Sequence, residues 1–205
     1  MNRHGLTELH PCVARLCEKG RAWSDFFKAH SKPRLDEYIL PPSERKNVAL
    51  KARLVIMPIK KIQTGADNPI LRQKAKKVKY INSKIKEVIL DMADTMKSNN
   101  MIVGLAAPQI GHSLQIIVIR FDYKEGYVAL INPQIKNFFG KKIIMEENCM
   151  SLPGISVHVE RYYKIVVEAL NTEGRPVKIK AKGILARIIQ HEINHLNGIL
   201  IVDYK

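Results

Sequence analysis

Cysteine, aromatic residues and long apolar runs are scarce in this sequence of 205 residues. Its three cysteines, an odd and small number, cannot build a disulfide framework, so we expect a reducing compartment. No run of about 18 uncharged apolar residues occurs, which argues against a transmembrane helix. Aromatic residues amount to 6% of the chain, and no RNA-binding motif with interleaved aromatics is visible.

The sequence does have the composition of a soluble globular protein, with 46% hydrophobic and 26% charged residues. Its length fits one domain with a sizeable core. The net charge of +15 permits RNA or another anionic surface as a neighbour, but charge bears on association and solubility rather than on fold. We expect a monomer without a DNA or membrane partner, in a bacterial-type cytoplasm or, alternatively, in an organelle.

Residues 1–56 differ from the rest of the chain in composition and in hydrophobic pattern. They contain eleven Lys/Arg against six Asp/Glu, no sustained periodicity and no continuous apolar stretch of the kind found in secretory signals. Cys12 and Cys17 have no partner pair, so a second metal site is not expected there. We predict a basic, weakly ordered extension over 1–56 and a single catalytic domain over 57–205.

A chain that begins at Met57 should therefore behave like the full-length protein. The extension supplies no residue that the candidate site described below still needs. We expect the same melting temperature and the same turnover for both chains, measured by thermal denaturation and by an activity assay. Unfolding of the shorter chain, or loss of most of its turnover, would make the extension part of the domain.

The pattern from Met57 onward predicts an α+β domain. Apolar residues recur at helical spacing in SKIKEVILDMADTMKSNN, where Asn82 or Ser83 can cap the helix. LQIIVIRF and YVALINPQI are strand-like, and KIVVEALN and PVKIKAK flank the turn residues 171–174, which predicts a hairpin. GILARIIQHEINHLNG predicts a last helix, ended by Gly198. We expect mixed, mostly antiparallel strands packed around this C-terminal helix.

The last helix carries a candidate metal site. His191 and His195 are four residues apart, so they share one helical face and can converge on one cation. Glu192 points about 100° round the helix, since 3.6 residues make one turn, and can serve as a base without being a ligand. The alternative is a polar patch on a core helix, but two histidines and a glutamate buried without partners would be costly.

A catalytic site of this kind needs a third protein ligand. In the pattern HExxHxxGxxH that ligand is a further histidine, but Ile201 stands at its position, and Asp203 is poorly placed. The third ligand must therefore come from upstream. The candidates are Cys149 in MEENCMSLPG, His158 in an alternating strand, where a surface role is expected, and His112 in a loop.

These residues resemble the three signature motifs of the peptide deformylase family. The first, G-x-G-x-A-A-x-Q, is matched by IVGLAAPQ, with Ile102 in place of the first glycine. The second, E-G-C-x-S, is matched by ENCMS, with Asn148 in place of glycine. The third, H-E-x-D-H, is matched by HEINH, with Asn194 in place of aspartate. The motifs stand in the right order, and the resemblance covers about residues 57–205.

The resemblance implies a metal-dependent hydrolase that removes the formyl group from the N-terminal formylmethionine of new proteins. It implies Cys149, His191 and His195 as ligands of one Fe²⁺, or of Zn²⁺ or another divalent transition metal. It implies Glu192 as the base that activates a water molecule. It also implies two groups that stabilise the oxyanion formed in the reaction. Those groups are the Gln109 side chain and the backbone N–H of Met150.

The resemblance also assigns residues around the metal. Val103, Met145 and Ile188 are expected to line an apolar pocket for the methionine side chain. Gly104 and Glu147 are also expected among the substrate-binding residues. Arg161 and Asn194 are expected to support the site, Arg161 as an ion pair with Glu147. Arg187 is interpreted either as flanking the pocket mouth or as solvated.

Two other functions compete with this interpretation. A zinc metallopeptidase could use the same helix, but the missing downstream ligand and the presence of ENCMS argue against it. A non-catalytic ribosome- or RNA-associated protein on the same scaffold would explain the charge of +15, but not the full set of candidate site residues. The expected partners are N-formylmethionyl peptides and nascent chains, with ribosome association as a further possibility.

Overall fold

The structure, a computed structural model, describes residues 59–122 and 126–204. The predicted extension over 1–56 lies outside these residues. Within them, no helix has the length and apolar character needed to cross a membrane.

A five-stranded sheet forms the body of the domain, with the strand order β1-β2-β3-β4-β5. Every strand is antiparallel to its neighbour in the chain. The strands are β1 Gly104–Ala106, β2 Ile116–Asp122, β3 Gly126–Cys149, β4 Leu152–Leu170 and β5 Pro176–Lys182. The predicted hairpin is confirmed, because Leu170 pairs with Pro176 across the turn.

In the described part of the chain, three α-helices accompany the sheet: α1 Pro69–Arg72, α2 Ser83–Ser98 and α3 Gly183–Leu196. Two short 3₁₀ helices cover Ala107–Ile110 and Ile201–Tyr204. The Asn82 side chain accepts a hydrogen bond from the backbone N–H of Ile85, as predicted for the cap of α2. The predicted α+β class is confirmed as an antiparallel sheet with few helices.

Gly198 follows the end of α3 with a φ of +74°, as predicted for the residue that stops this helix. A Cβ atom at this position would lie 2.2 Å from the backbone oxygen of Arg72. Glycine is therefore needed both for the backbone conformation and for the close approach of α1.

Strand β3 is much longer than the predicted run over 127–135. It continues to Cys149 and pairs with β4 along most of its length, across several register shifts. One shift falls between Phe139 and Lys142, where Gly140 has a φ of +73°. Such a bulge lets a strand keep its pairing across an inserted residue. The long hairpin carries Cys149 to its tip, beside α3.

The described residues contain two buried apolar clusters. The larger joins α2 to β1, β2 and β3, and its fully buried members include Met92, Met96, Leu105 and Ile116. The smaller contains Leu71, Leu152, Val159, Leu200 and Cys149 itself. Cys149 is therefore held within packed apolar side chains rather than on a mobile surface.

Candidate metal centre

Two distant parts of the chain place three ligand-type side chains together. Cys149 ends β3, and His191 and His195 lie one turn apart on α3. The Cys149 sulfur lies 3.2 Å from His195 Nε2, and one ligand atom from each of the three residues lies within 4.8 Å of the others. A thiolate with two imidazoles is a donor set that suits Fe²⁺ or Zn²⁺. Among the described residues, this is the one group with the composition and spacing of a metal site.

Glu147 fixes the orientation of the His191 ring. His191 Nδ1 lies 3.0 Å from Glu147 Oε2. Burial would raise the pKa of Glu147, but hydrogen bonds from His191 and Arg161 outweigh burial and hold that pKa at about 2. The carboxylate is therefore ionised and accepts only, so Nδ1 carries the donated hydrogen and Nε2 is left as the ligand atom.

The electrostatics of the two histidines differ. Burial, with the nearby charges of His191 and Arg161, lowers the pKa of His195 well below its usual value, so this ring is neutral and able to act as a ligand. Burial would also lower the pKa of His191, but hydrogen bonds with Cys149 and Glu147 raise it to about 10. The surroundings of His191 thus favour a positive charge, which a divalent cation would supply.

Glu192 points into the interior rather than to solvent. Glu192 is 4% exposed, and its Oε2 atom is buried without a hydrogen-bond partner among the described residues. Burial raises the pKa of Glu192 to about 7, against the opposing effect of the charges on His191 and Arg161. A carboxyl group in this state can take up and return a proton near neutral pH.

Gly104 makes room for the Glu192 side chain. A Cβ atom at this position would lie 2.4 Å from Glu192 Oε1 and 2.8 Å from Ile188 Cγ2. The predicted substrate residues Gly104 and Ile188 are therefore brought together beside Glu192. Any side chain at position 104 would therefore collide with Glu192 and Ile188.

Replacement of Gly104 by alanine should displace the Glu192 carboxylate. Because φ at this position is not in the left-handed region, the added methyl group acts through the contact and not through backbone strain. We expect a fall in kcat of about 10²-fold, the scale for a misplaced catalytic group, with a smaller change in melting temperature. Gly126→Ala has the opposite character, since Gly126 has a φ of +99° and nothing lies within 4 Å of its Cβ position, and it tests whether backbone strain without a contact lowers kcat. Unchanged kcat in Gly104→Ala would show that Glu192 can move without loss.

Gln109 is held at both ends of its amide. Its Oε1 accepts a hydrogen bond from the backbone N–H of Ala106 at 2.8 Å. Its Nε2 donates to Ser151 Oγ at 3.2 Å and lies 3.8 Å from the Cys149 sulfur. The bond from Ala106 fixes which end of the amide faces the site, so the donor group is directed toward Cys149.

The segment before α1 supports the same region, which sequence reasoning missed. Gln63 N–H donates to the backbone oxygen of Gln109 at 2.8 Å, and Gly65 N–H donates to that of Ser151 at 3.0 Å. Ser151 itself is fully buried. These contacts join the 3₁₀ helix that carries Gln109 to the turn that follows Cys149.

A buried ion network lies behind His191. Arg161 donates to Glu147 through Nε at 2.6 Å and through Nη2 at 2.8 Å. Arg161 Nη1 donates to Asn194 Oδ1 at 2.5 Å, and Tyr204 Oη donates to the same oxygen at 3.1 Å. The supporting residues predicted from the sequence are thus joined to one another. Glu147 contacts this network and His191, and its predicted role in substrate binding stays a prediction.

Arg187 corrects a prediction. It is not solvated, since only 8% of the residue is exposed. Its guanidinium donates to Glu147 Oε1 at 2.5 Å, to the backbone oxygen of Val159 at 2.9 Å and to that of Ile143. The signal in the sequence was its position four residues before His191, which places both residues on the same face of α3.

The other candidate ligands lie away from the cluster. His158 is exposed on β4 opposite Glu146, and His112 is half-buried in the turn before β2. Met145 is half-buried and lies two residues before Glu147 on β3, so alternation puts the two side chains on one face. Val103 is half-buried directly before β1, and its backbone oxygen accepts from Arg120 N–H at 2.9 Å.

Comparison with known proteins identifies the family of this chain. A family model described as polypeptide deformylase matches residues 59–205. The chain belongs to the peptide deformylase family. The function predicted from the motifs, removal of the formyl group from nascent peptides by a hydrolase, is confirmed, and the two competing functions are not supported.

Relatives and solved structures agree with this assignment. A peptide deformylase from Dictyoglomus turgidum is 49% identical over 149 residues, which are 73% of this chain and 92% of that protein. The crystal structure of a peptide deformylase from Thermotoga maritima is 40% identical, with a TM-score of 0.66 over 72% of this chain and 97% of that one. The structure of the Synechococcus elongatus peptide deformylase in complex with actinonin is 39% identical, with a TM-score of 0.67 over 73% and 80%.

The three departures from the deformylase motifs are accommodated. Among the described residues, Asn132 is the one non-glycine residue with a positive φ, so neither Ile102 nor Asn148 is strained in this way. Ile102 is 3% exposed and packs in the larger core cluster. Asn148 is exposed and accepts a hydrogen bond from Ser156 Oγ at 2.6 Å. Asn194 keeps its bond to Arg161, as described above.

Proposed function

We propose that this chain performs the deformylase reaction at the cluster of Cys149, His191 and His195. The reaction hydrolyses the formamide bond of N-formylmethionyl peptides and releases formate and a free α-amine. The observation that carries this proposal is the convergence of three ligand-type side chains beside a buried, unpartnered carboxylate oxygen of Glu192. A water molecule and its proton acceptor would thus be enclosed together.

The residues present fit a divalent transition metal. Cys149, His191 Nε2 and His195 Nε2 would hold it, and Glu147 supports the ligand geometry through His191. When bound, the metal would supply Lewis acidity that activates a water molecule and polarises the formyl oxygen. The donor set suits Fe²⁺ and Zn²⁺ alike, and we propose Fe²⁺ on the family resemblance.

The remaining chemistry falls to side chains of the chain itself. Glu192 would take the proton of the attacking water and deliver it to the departing amine. The amide N–H of Gln109 and the backbone N–H of Met150 would donate to the oxyanion that forms on the former formyl oxygen. Two observations support this proposal: the Gln109 amide is fixed by its bond from Ala106, and Met150 directly follows Cys149 in the chain.

The methionine side chain would enter an apolar pocket lined by Val103, Met145 and Ile188. These three side chains are partly or fully buried, and Gly104 leaves room beside Ile188 and Glu192. A pocket built from apolar side chains favours an unbranched, polarisable thioether. We therefore propose that methionine is preferred at the first position of the substrate.

We further propose that residues 57–205 form the catalytic domain. We also propose that the protein is a monomer that acts on nascent chains in a bacterial-type cytoplasm. Its small cysteine content suits a reducing compartment, and its charge of +15 would favour association with ribosomes. The basic segment over 1–56 is proposed to add nothing to catalysis.

Formate release tests the proposed activity. Anaerobically purified, metal-loaded protein should release formate from a formyl-Met peptide and leave the same peptide bearing an N-acetyl group almost untouched. A metallopeptidase would instead cleave an internal amide of both peptides, which mass spectrometry distinguishes. Protein that carries one metal per chain and yet releases no formate would overturn the proposal.

Gln109→Ala should lower kcat by about 10²–10³-fold, the usual effect of removing one oxyanion donor. Metal content should stay the same, because Gln109 is not one of the proposed ligands and its Nε2 lies 3.8 Å from the Cys149 sulfur. Gln115→Ala removes another partly buried amide, which donates to the backbone oxygen of Ala75 far from the site, and serves as the matched control. Equal kcat in the two variants would remove Gln109 from the reaction.

A further inference from the structure

We infer that Arg187 is a positioning residue for the metal centre, which sets the spacing between α3 and the tip of the β3–β4 hairpin through Glu147. This inference rests on the proposed metal site. Arg187 belongs to none of the family motifs matched above, and it contacts no ligand atom directly. Its role follows from the groups that its guanidinium joins.

The Glu147 carboxylate is the point at which three side chains meet. Its Oε1 accepts from Arg161 Nε at 2.6 Å and from Arg187 Nη1 at 2.5 Å. Its Oε2 accepts from Arg161 Nη2 at 2.8 Å and from His191 Nδ1 at 3.0 Å. Any rotation of the carboxylate would therefore be passed on to the His191 ring.

Charge balance does not explain the presence of Arg187. The Arg161 guanidinium already binds both oxygens of Glu147, the arrangement that satisfies a carboxylate best. A second guanidinium with a side chain that is 10% exposed adds a positive charge that Glu147 does not need for its own pairing, and burial of such a charge is costly. A residue retained at that cost must contribute something besides neutralising Glu147.

Its other bonds show what Arg187 adds. The guanidinium also donates to the backbone oxygen of Val159 on β4 and to that of Ile143 on β3. Arg187 therefore joins α3, one turn before His191, to both strands of the hairpin that carries Cys149. Arg161 lies on β4 and reaches α3 at Asn194, between the two histidines. The two arginines thus tie the helix to the hairpin on either side of His191.

The decisive variant is Arg187→Met, which keeps the length and apolar stem of the side chain but removes all three of these bonds. Glu147 remains paired with Arg161, so its negative charge is not left alone. We expect the affinity for Zn²⁺, measured by chelator competition, to fall by about 10–100-fold, the usual effect of losing a partner that orients a ligand. The Co²⁺-loaded protein should show an altered thiolate-to-cobalt absorption band, because the distance between hairpin and helix is relaxed.

Two controls separate positioning from general stability. Gln190→Met breaks the bonds of the Gln190 side chain to the Tyr162 backbone, which also tie α3 to β4, without touching Glu147. We expect near-normal Zn²⁺ affinity and an unchanged Co²⁺ band in that variant. The double variant of Arg187→Met with Glu147→Gln should bind Zn²⁺ no more weakly than Glu147→Gln alone. Both changes break the same chain of contacts, which runs from Arg187 through Glu147 to His191.

The inference is overturned if Arg187→Met binds Zn²⁺ like the wild type, if the two changes add fully, or if Gln190→Met loses as much affinity. Should Arg187→Met fail to fold, Arg187→Lys gives the same test, since a single ammonium cannot reach all three acceptors in the fork geometry of arginine. Affinity is measured without turnover. A protein that shows these effects and yet releases no formate would refute the proposed reaction and leave this inference standing.

Discussion

Replacement of Glu192 by glutamine is expected to lower kcat by about 10²–10⁴-fold, the range attributed to general acid–base catalysis, while one metal per chain is retained. The amide has the size of the carboxyl group but can neither accept a proton from water nor deliver it to the amine. The variant should fold at least as well as the wild type, because the buried Oε2 atom has no partner among the described residues and burial disfavours the charged form.

Single-turnover formate release and metal analysis on the same sample check this result. Glu146→Gln, which makes the same chemical change on the exposed side of β3, is the matched control and should leave kcat unchanged. Near-normal turnover by Glu192→Gln would exclude Glu192 as the base. Loss of the metal together with activity would instead identify it as a ligand.

Cys149→Ala should give the other large effect, the loss of stable metal binding. Two imidazoles on adjacent turns of α3 would remain to bind the metal. Loss of a residue that only orients a ligand costs about 10–100-fold in affinity, and we expect loss of a ligand itself to cost more. We therefore expect a weakening of at least about 10²-fold and activity only at excess metal. His158→Ala, which removes a rejected candidate ligand on the exposed side of β4, should bind metal normally.

Metal stoichiometry after dialysis, with chelator competition for affinity, measures the effect. Unchanged stoichiometry and affinity in Cys149→Ala would remove the thiolate from the site. The melting temperature of the metal-free form shows whether the small apolar cluster around Cys149 tolerates the smaller side chain.

The parts of this structure that were predictable are those set by local periodicity. His191 and His195 share a face of α3 because of helical geometry alone, and Asn82 caps α2 by a bond to a residue three positions away. The motifs could indicate that Cys149 belongs with the histidines. Spacing alone left His158 and His112 open, because a strand and a loop can each bring a histidine to a helix.

What the sequence left out depends on pairing between distant residues. The run from Lys136 to Glu147 mixes lysines, aromatics and glycine without a clear alternation, so its continuation as β3 depends on its partner β4. The burial of Arg187 could not be predicted for a related reason, although its spacing from His191 placed the two residues on one face of α3. Arginines are mostly exposed, and the acceptors that make its burial tolerable lie on two strands far away in the chain.

The proposed ligands lie far apart along the chain, so a bound metal would also affect folding. The strands pair in chain order, so most of the sheet closes only short loops, whereas the Cys149 sulfur and His195 Nε2 meet across 46 residues. A cation held by both would act as a reversible crosslink that closes this segment, much as a disulfide does by limiting the entropy of the unfolded chain. Because the unfolded chain has no such preformed site, the free energy of unfolding should rise with the concentration of free metal. In a cell short of that metal, the protein would become not only less active but also easier to unfold and degrade.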